Sequence, residues 1–413
     1  QFEGHKCGVS GKGAKMSVIT ESISSWVHNI SINSVIMMIM MIFMLVGAID
    51  KIMGNKKGYG EKFEEGFNAI GPLAISMAGV VAAAPVLATI LGPVIKPIYN
   101  FFGADSSMFA TTLLACDMGG YPLAMELAGD NVAIGNFAGL ILGTMMGPTI
   151  VFTIPVALGI ISKDDRSYLG AGVLAGLITV PIGCIVGGLA MSTMTEYKLG
   201  IGTILQNLIP VIIIAALIVI GLWFAPAKMI NGFNVFGTGV TIVITAFTAI
   251  AVFEQITGIM FPLFDVMAIK DEVTGLSPLD SGLLTCGQIG IVLIGAFPMV
   301  EWITRTFGGV LKKLGGALGI NEQASAGMVA NLANNIAMFN IMGEMDPKGK
   351  LLNVAFAVSA AFVFGDHLGF TAGVNQEMVT PVIIGKLVAG ITALIVANLL
   401  APKLLSKIKS ATK

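Results

Sequence analysis

Charge is what this chain has least of. Asp, Glu, Lys and Arg make up 11% of its 413 residues, against 55% hydrophobic residues, and the mean hydropathy is +0.88. A water-soluble protein carries charge on about a quarter of its residues. A chain this poor in charge cannot coat itself for water, so its solvent must be lipid. Histidine and cysteine are scarce as well, at 3 and 4 residues. Cys7, Cys116, Cys184 and Cys286 fit no metal spacing and no disulfide framework, and the last three read as small packing residues. No basic run points to nucleic acid, and a net charge of −1 names no ionic partner. There is no Walker loop, no GxSxG and no metal-spaced His/Cys/carboxylate cluster. The sequence therefore implies no cofactor and no metal, and any energy source is a gradient or the substrate's own.

Apolar helix fills the chain instead. A hydrocarbon core of about 30 Å takes roughly 20 helical residues and admits only helices or closed barrels. Runs of that kind lie near 34–49, 69–95, 107–127, 131–161, 169–191, 206–225, 237–264, 282–304, 320–343, 351–375 and 378–402. They predict an all-α polytopic membrane protein with about eleven transmembrane segments. Several are interrupted, by Pro72, Pro85, Pro93, Pro155 and the Gly147-Pro148 pair. A break at membrane depth frees N–H and C=O groups that protein or a polar cavity must satisfy. With that many crossings, Lys51, Lys56, Lys57, Lys62 and the tail lysines Lys403, Lys407, Lys409 and Lys413 share one side. The excess of basic residues makes that side cytoplasmic, with the C-terminus inside and the N-terminus outside. Residues 1–15 look foreign to the natural-looking start at Met16 and are set aside as an added leader. Residues 16–413 are then one transporter domain.

An internal duplication is expected within it. A shift of 216 lays 71–105 on 287–321 without a gap, bringing together Gly71/Gly287, Ile75/Ile291, Gly79/Gly295, Gly92/Gly308 and Gly103/Gly319. Further on, with two extra residues in the second copy, Gly147, Phe152 and Thr153 meet Gly365, Phe370 and Thr371. The copies are about 69–191 and 282–402, joined by helices over 206–264. Duplicated bundles hold substrate at the repeat interface near the midplane, on discontinuous helices. An even number of intervening spans makes the copies parallel, and one re-entrant segment makes them inverted; both readings stand.

An ionisable residue inside a span costs about 2.5 to 3.5 kcal/mol on insertion scales, so each is a functional hypothesis. In "LLACDMGGYPLAMEL" (113–127), Asp117 and Glu126 flank Gly119, Gly120 and Pro122. Glycine accepts positive φ and proline has no N–H, so the helix is expected to unwind there. Freed carbonyls and a carboxylate make a cation pocket, and Tyr121 adds a π face that attracts ammonium. The plainer alternative is a helix end with solvated acids. Glu254-Gln255 lies deep in apolar sequence, so Glu254 must be protonated, paired or open to a wet cavity. Asp366-His367 joins a carboxylate to a group that titrates near neutral pH. Glu377 opens the last span and Lys386 lies within it, too far along one helix for a mutual pair. Lys386 either snorkels or neutralises Asp366 or Glu254 from another helix. His367, Glu377 and Lys386 are thus candidates for coupling. Asn331, Asn334 and Asn335 share a helix face and either glue helices or line a path.

"ACDMGGYPLAMELA", "AVFEQITGIMFPLFDVM" and "FVFGDHLGFTAG", with the many-span layout, resemble the EutH ethanolamine permease family of bacterial ethanolamine-utilisation operons. The likeness runs from about Met16 to the C-terminus. It implies passage of ethanolamine across the bacterial inner (plasma) membrane, and it brings no residue roles with it. From the residues themselves, the expected substrate contacts are Asp117, Tyr121, Glu126, Glu254, Gln255, Asn334, Asn335 and Asp366. An amine of lysine-like pKa is mostly cationic near neutral pH and needs a carboxylate, an aromatic face and a group for its hydroxyl. Competing readings are a carrier of another small polar solute coupled to protons or sodium, and a receptor without transport. An intramembrane enzyme built on Asp366-His367 lacks a nucleophile or metal set. The expected partners are ethanolamine and membrane lipid, not nucleic acid, with a homo-oligomer left open.

Overall fold

The computed structural model describes residues 12–28, 30–272 and 274–411, and the described residues contain helices but no strand. Of the expected leader only 12–15 are described, opening the helix Lys12–His28. Among the described residues, seven helical stretches are long and apolar enough to cross a membrane: Ile32–Ile52, Tyr59–Phe101, Val132–Ile160, Ile201–Phe224, Pro226–Thr257, Pro278–Thr306 and Gln376–Ser410. Lys163–Leu177 and Val180–Met194, bent by 41°, make an eighth when taken together. Their outer surfaces are apolar, with Ile213, Leu217, Ile242 and Leu399 exposed, which suits lipid as solvent. The chain is a multi-pass helical membrane protein.

The eleven expected segments overcount the crossings, because two of them turn back. Segment 107–127 has the length of a span, yet Ser107–Leu113 runs inward, the backbone extends at Leu114 and Ala115 (ψ 144° and 150°), and Tyr121–Ala128 returns. The hydroxyl of Ser106, at its start, donates to the carbonyl of Leu127, at its end, over 3.4 Å. Segment 320–343 does the same: Glu322–Ala333, an extended Asn334 (φ −157°, ψ 129°), then Asn335–Asn340. Asn321 closes its base, donating from Nδ2 to Glu344 O at 2.9 Å and from its backbone N–H to Asp346 Oδ1 at 2.8 Å. We call these hairpin I and hairpin II. Composition encodes an apolar environment but not the direction of travel within it.

Each hairpin is followed by a broken span. Broken span I is Val132–Ile160, which kinks at Met145 (φ −121°, ψ −62°). Broken span II joins Pro347–Ala360 to Asp366–Val374 through the non-helical residues 361–365. The hairpin tips lodge against these breaks. Cys116 N–H donates to Gly143 O at 2.9 Å, and Phe362 and Phe364 donate to Asn331 O and Leu332 O at 3.0 and 2.9 Å. In both places the backbone approach demands glycine: a Cβ on Gly147 would stand 1.9 Å from Leu114 O, and one on Gly365 2.1 Å from Ala333 O. The helices preceding the two hairpins, Ile70–Phe101 and Pro278–Leu318, are each followed closely by a left-handed glycine, Gly103 (φ 67°) and Gly319 (φ 68°).

Hydrogen bonds sort the element ends onto two faces. On the first, Asn375 Nδ2 donates to Asn136 Oδ1 and Tyr197 Oη at 3.0 Å each, Asn33 Nδ2 donates to Glu377 O at 2.8 Å, and Asp105 N–H donates to Asn207 Oδ1 at 2.7 Å. On the second, Lys350 pairs with Asp165, Arg305 donates to Lys57 O, Lys348 donates to Leu318 O, and Lys407 donates to Trp223 O. Hairpin I opens on the first face and hairpin II on the second.

Candidate functional site

The tip of hairpin I carries the site's first acid. Pro122 has no N–H to offer the carbonyl of Met118, Met118 leaves helical geometry (φ −107°, ψ 38°), and Gly119 turns left-handed (φ 86°). Residues 116–120 therefore form a kinked, non-helical turn between the two arms of the hairpin. Asp117 is left half-buried, with the Cys116 thiol 4.0 Å from its Oδ1. Ligand atoms of Cys116, Asp117 and His367 all lie within 4.8 Å of one another. His367 is buried on the first turn after the break in broken span II, its ring 5.0 Å from that of Phe362.

Lys386 completes this cluster. It is 1% exposed, and its ammonium donates to Thr144 O at 2.5 Å and meets His367 Nδ1 at 3.0 Å. Lysine is a donor only, so Nδ1 accepts and the imidazole proton is assigned to Nε2. Thr144 O is free for a reason written in the sequence: the residue four positions on is Pro148, which has no N–H to close the helical bond. Cys116, Asp117 and His367 offer metal-ligating atoms, but an ammonium in contact with the histidine opposes a resident cation. The arrangement is a charge cluster at the meeting of a hairpin tip and two broken spans.

Asp366 is half-buried at the start of the helix after the break in broken span II, next to Gly365, at which a Cβ would stand 2.1 Å from Ala333 O of hairpin II. There Asn335 is fully buried and donates from Nδ2 to Thr153 Oγ1 at 2.9 Å, while its Oδ1 has no hydrogen-bond partner among the described residues. Asn334 caps the return helix, accepting from Ile336 N–H at 2.8 Å. Tyr121 packs edge-on against Phe370 with centroids 5.9 Å apart.

Two open cavities lead toward the tips. The one on the first face, about 730 Å3, is lined by Tyr121, Glu126, Lys270, Ser277 and Gln288. The one on the second face, about 400 Å3, is lined by Lys62, Glu65, Glu301, Asn334 and Asn340.

The structure thus brings Asp117, His367 and Lys386 together, sets Tyr121 and Glu126 along the first-face cavity, and sets Asn334, Asn335 and Asp366 near hairpin II. It does not bring Glu254 and Gln255 to either tip. Glu254 ends the helix Pro226–Thr257 and accepts from Phe261 N–H at 2.7 Å, holding the loop that folds back over it. Gln255 donates to Asp280 at 2.7 Å and accepts from Ser277 at 2.8 Å, behind the wall of the first-face cavity. Glu377 lies on the first face, accepting from Glu196 N–H at 3.3 Å. Cys116, a packing residue by sequence, Thr144, and Thr153, marked only by the repeat, are brought to these places by the fold. The Thr144–Pro148 spacing was the available signal for the second; nothing local marks the other two.

Two re-entrant hairpins, set against broken spans around a buried charge cluster, define a multi-pass membrane protein built to expose polar groups part-way through lipid. The family model described as "Ethanolamine utilisation protein, EutH" matches residues 32–400, and the chain belongs to that family. A Listeria monocytogenes protein named "Probable ethanolamine permease EutH" is 53% identical over 380 residues, covering 92% of this chain and 97% of its own. The Escherichia coli protein of the same name is 50% identical over 398 residues (90% and 96%). A Bacillus subtilis protein, "Uncharacterized protein YxeR", is 47% identical over 372 residues (90% and 96%). No solved structure matches.

Proposed function

We propose that this protein is a permease carrying ethanolamine, in its ammonium form, across the bacterial inner membrane into the cytoplasm. The observation that carries the reading is Asp117: an acid at a re-entrant tip with no ion pair within 4 Å among the described residues, in a family whose relatives are named for this amine. A carboxylate at membrane depth with no direct ion-pair contact is costly and is a ready acceptor for a cation that lipid repels. Asp366 is the second acid of the path. Tyr121 and Phe370 replace hydration on the apolar side of the ammonium. Asn334 and Asn335 receive the hydroxyl where hairpin II faces the path, and Glu126 draws the cation into the first-face cavity.

Orientation follows from the two faces. Lys56, Lys57, Lys163, Arg166, Lys348, Lys350 and the C-terminal lysines belong to the second, while the first holds few basic residues. The positive-inside tendency makes the second face cytoplasmic, with the C-terminus inside. Counting both hairpins as re-entrant leaves an odd number of steps from Ile70–Phe101 to Pro278–Leu318, so the duplication is inverted. Inverted repeats with half-helices at the midplane are a recurring plan for alternating access, and the two cavities are its two mouths.

The test is uptake of labelled ethanolamine into proteoliposomes across a range of external pH. Uptake is expected to follow the charged amine, to saturate, and to fall about thirtyfold or more in Asp117→Asn, as when one partner of a buried charge pair is removed. Uptake proportional to the neutral amine alone, or an unchanged Asp117→Asn, overturns the proposal.

A further inference from the structure

Lys386 has no part in binding as set out above, yet it is the most deeply buried charge at the site. A lysine taken out of water needs acceptors and a counter-charge. Its acceptors are Thr144 O, orphaned by Pro148, and His367 Nδ1. Its counter-charge is the tip acid: His367, which Lys386 contacts, has a ligand atom within 4.8 Å of one on Asp117, so the ammonium and the carboxylate flank the same histidine. A primary ammonium tethered on the helix Val379–Ala411 therefore already shares a histidine neighbour with the acid proposed for the substrate's primary ammonium.

We propose that Lys386 is a built-in stand-in for the substrate cation, which neutralises the hairpin I acid when the carrier is empty and lets the unloaded protein change faces. The inference rests on the reading of Asp117 as the ammonium acceptor. In the loaded carrier the substrate supplies the positive charge. In the empty one an unaccompanied carboxylate would have to make the same transit, at the cost of an isolated charge in lipid. Lys386 removes that cost from its place against His367, near the carboxylate. It acts as a positioning residue, and the carrier it makes is one that returns empty, a facilitator and not an obligate exchanger.

Net uptake and exchange separate this from a structural role. In proteoliposomes, Lys386→Met is expected to keep exchange of labelled for unlabelled ethanolamine within about twofold of the parent. Net uptake into vesicles without internal ethanolamine is expected to fall by at least about tenfold, a modest share of what insertion scales assign to one charge. Lys386→Arg, which keeps the charge, is expected to restore net uptake. If Lys386→Met does not reach the membrane, Lys386→Gln carries the same expectation. Equal loss of exchange and net uptake, or no loss of either, overturns the inference while leaving the permease reading intact. A parent protein that moves no ethanolamine in either assay overturns both.

Discussion

Lys350 Nζ stands 2.5 Å from Asp165 Oδ1, with the two side chains only 13% and 6% exposed. The ammonium also lies 5.5 Å from the Tyr168 ring centroid. Lys350 lies at the start of broken span II and Asp165 at the start of the bent span Lys163–Met194, so the pair clamps the two at the second face. An exposed pair contributes about 0–1 kcal/mol, but removing one partner of a buried pair strands the other and costs about 3–5 kcal/mol. Asp165→Asn and Lys350→Met are each expected to lower the thermal midpoint in detergent, and the double variant Lys350→Met/Asp165→Asn to recover most of the loss. Additive losses in that cycle would show that the two charges act independently.

Gly147 and Gly365 occupy corresponding places, each pressed against a hairpin-tip carbonyl with room for hydrogen alone. The obstructing atoms are backbone, Leu114 O and Ala333 O, so a methyl group cannot be accommodated by a rotamer change. Overpacking of this kind costs about 1–3 kcal/mol, and the strain falls on the tip. Gly147→Ala and Gly365→Ala should each reduce ethanolamine uptake more than they reduce thermal stability. Gly159→Ala is the control in the same broken span, since a Cβ there meets nothing within 4 Å. Equal behaviour of all three would mean that tip seating has no bearing on transport.

Much of this was legible in the sequence, and the failures have identifiable causes. The lipid environment, the helices and the break at 117–122 follow from composition and from Gly119, Gly120 and Pro122. The reversal of 107–127 does not, because a 21-residue apolar run reads alike whether it crosses or returns. Glu254 looked deep in a span because Ile259, Met260 and Phe261 continue the apolar run, but Gly258 (φ 72°) ends the helix and those residues form a loop. Sequence offers Lys386 a partner in Asp366 or Glu254; its hydrogen bonds go to Thr144 and His367, residues 242 and 19 positions away. Cys116 read as packing because the cluster it joins is assembled only by the fold.

The opposed hairpins predict an accessibility pattern. In a background with its cysteines replaced, Asp130→Cys lies just past the base of hairpin I and Lys348→Cys just past the base of hairpin II. Orientation by basic residues places the first outside and the second in the cytoplasm. A membrane-impermeant maleimide added to intact cells should therefore label Asp130→Cys and spare Lys348→Cys until the membrane is opened. Labelling of both from outside would remove the two-faced arrangement of the hairpins.

Cadmium offers a direct probe of the tip itself. Cys116, Asp117 and His367 hold sulfur, oxygen and nitrogen ligand atoms within 4.8 Å of one another, and metal bonds to such ligands run about 2.0–2.3 Å in zinc sites. A soft divalent ion that binds thiolate and imidazole needs the cluster to tighten by roughly an ångström, with Lys386 displaced from His367. The ion would then tie hairpin I to broken span II and arrest the tip. Cd2+ is expected to inhibit ethanolamine uptake reversibly, with a chelator restoring it, and Cys116→Ser is expected to be insensitive relative to its own baseline. His367→Ala should lower sensitivity through loss of the second soft ligand, whereas Cys184→Ser, which alters a buried thiol outside the cluster, should leave it unchanged. If inhibition followed Cys184 or Cys286 instead, the tip would not be where metal acts, and the nearness of Asp117 to His367 would have no consequence for movement.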